Sequence, residues 1–166
     1  MLPPPPEAPW SERCPKPRPE PRPKPRKVLY SPEILAAAVG LAAFPFDPAL
    51  PLHGEARSRS CGSTLRVGLS LDEQGRIARI GCRAQACAVG QAAAQIFASA
   101  APGLSAEQIA SARTDLALWL NGSSPAPDWP GIALLDPARD YPARHGAILL
   151  AWDAALAALA SPPQLR

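Results

Sequence analysis

Leu65, Val67, Leu69 and Leu71 alternate with Arg66, Gly68 and Ser70, and this period of two is what most limits how the chain can fold. Successive side chains of a strand point to opposite faces, so the pattern predicts a strand with one dry face and one wet face. Asp72-Glu73-Gln74-Gly75 then supplies turn residues. A second alternation follows over 76–83, with Ala78, Ile80 and Cys82 on one side and Arg79, Gly81 and Arg83 on the other. Upstream, residues 55–60 read as a short first strand, joined to 65–71 through the corner Cys61-Gly62-Ser63. A sheet with one apolar face needs a cover, and the rest of the chain offers helices. The expected class is α+β: a three-stranded antiparallel sheet with helices packed mainly on one face.

The helices announce themselves by their ends. Ser31 followed by Pro32 is a start signal, and the first helix is expected to run to about 43 with Ile34, Leu35, Ala38, Leu41 and Ala42 facing the core. Residues 44–54 read as an irregular connection with His53 as a solvated loop residue. Residues 86–100 are rich in alanine and free of proline, which predicts a helix stopped by Pro102-Gly103. Ser105 and Gln108 have capping-box spacing. They open a helix that places Ile109, Ala112, Leu116, Trp119 and Leu120 at core spacing before Asn121-Gly122 ends it. A short helix or turn at 132–135 precedes a last helix, opening at Tyr141-Pro142 and carrying Leu149, Trp152, Leu156 and Leu159.

Composition divides the chain. Eleven of its 23 prolines lie in residues 1–27, in a rhythm that excludes helix and sheet, so this stretch is expected to be a disordered Pro/Arg-rich tail. Residues 28–160 form the expected domain and 161–166 a C-terminal tail. The formal charge of +3 belongs to the first stretch: seven Lys/Arg against three Glu give it +4, leaving −1 for 28–166. The domain therefore makes no general case for nucleic-acid binding. No run is expected to span a membrane, the apolar stretch 34–44 being too short, and no secretory signal opens the chain. A cytoplasmic location follows, where four cysteines are expected to be free, metal-binding or reactive rather than paired.

Cys61 precedes a strand, while Cys87 and His145 each fall in the first turn of an expected helix. Unpaired N–H groups and the positive dipole end there favour a thiolate, which makes Cys87 the expected reactive thiol. Cys82 reads as a small core residue, though near enough to Cys87 in sequence to serve as a further thiol ligand. Cys14, in the tail, is not expected to be a ligand. No phosphate loop, Ser-His-Asp set or carboxylate pair is present, so no catalytic residue is assigned and the chain is not expected to be an enzyme.

Taken in order, Cys61-Gly62, the alternating strands, Cys87 opening a small-residue helix, and Pro142-Ala143-Arg144 before a last helix resemble the IscU/SufU/NifU N-terminal family of iron–sulfur cluster assembly scaffolds, over about 30–160. The resemblance implies a scaffold that holds iron and sulfur and hands the cluster on. It implies metal ligation by Cys61, Cys87 and His145, with Cys82 as a substitute, and sulfur acceptance at Cys87. The cargo would be an iron–sulfur cluster, [2Fe-2S] foremost, or iron, with zinc as an alternative. The partners would be a cysteine desulfurase, cluster-accepting proteins and a second copy, each chain of a homodimer giving two cysteines. The chain departs from the family at two ligand positions: Ser63 stands where an aspartate is usual and Gly146 where a last cysteine is usual. Those departures keep two further readings open, a non-cluster-binding interaction module and a sulfur acceptor for a desulfurase.

Overall fold

The computed structural model describes residues 1–3 and 28–161; Cys14 and the rest of the expected N-terminal tail, with 162–166, lie outside the described residues. Helix α1 (Pro32–Gly40) tightens into a 3₁₀ turn, Leu41–Ala43, and is followed by strands β1 (Leu52–Arg57), β2 (Thr64–Leu71) and β3 (Ile77–Gln85). Helices α2 (Ala88–Ala100) and α3 (Ala106–Leu120), a 3₁₀ segment (Ile132–Asp140) and α4 (Pro142–Ala160) complete the order. The strands pair antiparallel in the order β1-β2-β3, which is the α+β arrangement expected.

The dry face is made by Leu52, Leu65, Val67, Leu69, Ile77 and Cys82, all buried. Against it pack α4, over β1 and β2, and α2, beside β3. The approach is close because Gly54 has no side chain: a Cβ there would run into the Ala154 carbonyl and the Ala158 backbone of α4. Phe97 of α2, Trp129 and Trp152 of α4 close the middle of the core, with ring centroids 5.1 to 5.6 Å apart. The caps follow the sequence. Ser31 accepts from the Ile34 amide, and Ser105 and Gln108 form the reciprocal capping box.

Several local expectations are corrected. β1 spans Leu52–Arg57 rather than 55–60, because Leu52 pairs with Leu69 while Ser58 already turns, its amide donating to the Ser63 carbonyl at 2.8 Å. His53 is therefore a half-buried strand residue against the Phe46 ring, 5.4 Å between centroids, and not a solvated loop residue. On α1, Ile34 and Ala38 are buried but Leu35 and Ala42 face outward. A bulge between Ser70 and Leu71 pairs Ile77 with Leu71 and turns Ala78 out of the alternation. Finally, α4 is long and apolar enough, by length and composition, to cross a membrane. Its packing against β1, β2, α2 and α3 makes it the central core helix here.

The connection from α1 to β1 crosses the outer face of the sheet. It meets the free edge of β3, where the Cys82 amide donates to the Phe44 carbonyl at 2.8 Å, and reaches β1 at the other edge. It passes over Gly81, where a Cβ would strike the Pro45 carbonyl, and Gly68, where one would lie 3.1 Å from the Asp47 carbonyl.

Candidate thiol site

The backbone of the corner between β1 and β2 is held by hydrogen bonds local in sequence. The Gly62 amide donates to the Ser58 carbonyl at 3.0 Å, and Gly62 itself takes φ +71°, a left-handed conformation that glycine adopts without strain. This turn brings Cys61 back over its own serines. Its Sγ lies 3.3 Å from Ser58 Oγ and 3.1 Å from Ser63 Oγ, and both serines are buried. Ser58 Oγ is in turn 3.1 Å from Ser60 Oγ, which donates to the Ala143 carbonyl of α4 at 3.1 Å.

A hydroxyl has one proton to give. So has the Cys61 thiol, which donates to Ser58 or to Ser63 but not to both at once, while Ser60 gives its own proton to Ala143. When the thiol ionises, the Ser58 and Ser63 hydroxyls can turn their protons onto Sγ. Burial pushes the Cys61 pKa up, but hydrogen bonds from the Ser58 and Ser63 hydroxyls, with the Ser63 backbone and the Ser60 hydroxyl, outweigh that and bring it down to about 7.

The same serines explain position 146. A Cβ on Gly146 would lie 2.5 Å from Ser58 Oγ and 3.1 Å from Ser60 Oγ, so the space a side chain would need is filled by hydroxyls. The sequence gives a sign of this in Ser58, Ser60 and Ser63 clustered about Cys61, but which of them touch the sulfur depends on the turn.

Cys87 is the N-cap of α2 rather than a residue of its first turn, half-buried, with a side chain that makes no capping bond. It lies one turn before Gly90, where α2 meets Ala147 of α4. Cys61 and Cys87 thus flank the same end of the sheet, just outside the Thr64–Gln85 pair. His145 is partly buried at the start of α4, and its Nε2 is 3.1 Å from the Arg139 carbonyl. That bond makes Nε2 the protonated nitrogen and leaves only Nδ1 to ligate. Cys82 stands in the core opposite Val67, and burial pushes its thiol up to about 12. Among the described residues no three His, Cys, Asp or Glu side chains are grouped to hold a metal ion. Cys61 and Cys87 alone are thus short of the four ligands a cluster takes.

No family model matches the sequence, and no curated protein matches it. Solved structures do. A nitrogen-fixing NifU-like protein (N-terminal) from Brucella abortus is 28% identical with a TM-score of 0.71, over 79% of this chain and 92% of its own. A protein described as an iron–sulfur cluster assembly scaffold for the SUF system, from Fervidobacterium islandicum, is 20% identical with a TM-score of 0.69, over 79% of this chain and 96% of its own. In fold the chain is thus similar to NifU-like and SufU scaffold proteins, which supports the resemblance to the IscU/SufU/NifU N-terminal family that its Cys61 and Cys87 motifs carry.

Proposed function

We propose that this chain is an iron–sulfur cluster assembly scaffold whose working thiols are Cys61 and Cys87, with Cys61 rather than Cys87 taking up sulfur. The observation that carries this reading is the hydroxyl cage about Cys61, which offers a thiolate near neutral pH without using a metal or a cation. Attack by that thiolate on the outer sulfur of a donor persulfide breaks the donor's S–S bond, forms one on Cys61 and releases the donor's thiolate. The donor class is a cysteine desulfurase, and cluster-accepting proteins are the downstream partners. Because one chain presents two thiols at this end, the cargo is held between two copies, two cysteines from each.

Anaerobic reconstitution with iron and sulfide tests the reading. Wild-type protein should give a coloured species that Cys61→Ser and Cys87→Ser each abolish, while Cys82→Ser keeps the colour and loses stability. A colourless wild type that takes up no sulfur yet binds a desulfurase would replace the scaffold with an interaction module. The filled space at Gly146 favours that second reading. Rebuilding the family ligands then takes Ser63→Asp and Gly146→Cys together with Ser58→Ala, since the Ser58 hydroxyl stands in the way of the new side chain.

A further inference from the structure

The connection that crosses the outer face of the sheet leaves a cleft of about 690 Å³ beside it, lined in part by Phe46, Leu50, Pro51, His53, Arg66 and Arg83. That volume suits a small organic ligand. The cleft opens on the sheet face away from the helices, and neither Cys61 nor Cys87 lines it.

Its polar groups are out of balance. Arg66 of β2 is in register with Arg83 of β3, which sets two cations side by side on the same face. Like charges directly opposite one another destabilise a sheet. Arg66 is partly relieved, its Nε 3.4 Å from Glu55 and its guanidinium 5.3 Å from the centre of the Phe46 ring. Among the described residues the Arg83 side chain has no hydrogen bond or ion pair, though a second recess between Glu55, Arg66 and Gln85 also opens onto it. His53, on the cleft wall, has a buried Nε2 with no hydrogen-bond partner among the described residues. Both arginines are exposed to solvent and within reach of a ligand, while the buried His53 Nε2 is a cost of the kind tolerated where a ligand repays it. Beside these polar groups the lining is apolar, with Phe46, Leu50 and Pro51.

We propose that this cleft binds a small organic carboxylate, its anionic end bridging Arg66 and Arg83 and its apolar body lying against Phe46, Leu50 and Pro51. The fit is chemical. A carboxylate accepts from two guanidinium forks at once, removes the repulsion between them, and leaves an apolar remainder for the wall. An inorganic anion would satisfy the arginines alone, and a neutral molecule the wall alone.

Titration of isotope-labelled full-length protein with 3-phenylpropionate, followed by amide NMR, tests this. The expected result is saturable shifts gathered at Phe46, Leu50, His53, Arg66 and Arg83, with Arg83→Gln weakening binding at least tenfold while its spectrum stays that of a folded protein. Cys61→Ser should bind as wild type does, so the outcome is independent of the thiol chemistry. Equal binding of 3-phenylpropanol would reduce the cleft to an apolar groove, and equal binding of inorganic phosphate would reduce it to an unselective cationic patch. Either result, or shifts that fail to saturate or are unchanged in Arg83→Gln, overturns the proposal.

Discussion

At Cys61 the groups that lower the thiol pKa are serine hydroxyls and a backbone group, all uncharged and all supplied by the corner and its flanks. The consequence is measurable as a pH profile. The rate of Cys61 alkylation by iodoacetamide should rise with a midpoint near pH 7 and level off above it, and Ser58→Ala or Ser63→Ala should move that midpoint up toward the ordinary thiol value of 9.0. Cys82 should stay unreactive over the same range, its own thiol held up at about 12. Linkage follows with a definite sign. A folded pKa below the unfolded one adds stability that is fully present above the unfolded value near 9.0 and is lost as pH falls through about 7. Little of this was legible in the sequence. Helix-end reasoning singled out Cys87, because dipoles can be located from sequence signals, whereas a hydroxyl cage depends on the hand of a four-residue turn.

The elements were more legible, and the misses share a physical origin. β2 was readable because its alternation is unbroken, Leu65, Val67 and Leu69 all being fully buried. The start of β1 was hidden because its inward position 54 is a glycine, chosen to let α4 approach rather than to fill the core. The bulge that turns Ala78 outward similarly breaks a pattern that otherwise holds to Gln85. Gly54→Ala should therefore lower unfolding stability by about 2 kcal/mol or more, as overpacking against a backbone does. Gly40→Ala is the control. Its Cβ would meet only the flexible side chain of Gln95, at 3.3 Å, so the change should be neutral or stabilising by up to about 1 kcal/mol. Urea denaturation of the two variants compares them directly. Equal losses would mean that the α4–β1 contact is looser than the glycine implies.

For the whole molecule, the proposed scaffold role, with two thiols from each of two copies, would make cluster loading and association a single event. The 17.4 kDa chain should elute at twice its mass after anaerobic loading with iron and sulfide. It should return to the single mass on chelation, and Cys87→Ser should prevent the doubling. A coloured species at the single mass would place all its protein ligands in one chain. The long reach of one serine has another consequence. Ser60 belongs to a local hairpin, yet its hydroxyl is anchored on Ala143, far along the chain at the start of α4. The corner can therefore form early, from neighbours in sequence, while its final proton arrangement waits for the last helix to settle. Acidity at Cys61 is thus tied through Ser60 to the seating of the last helix, and Ser60→Ala should raise the midpoint of Cys61 alkylation.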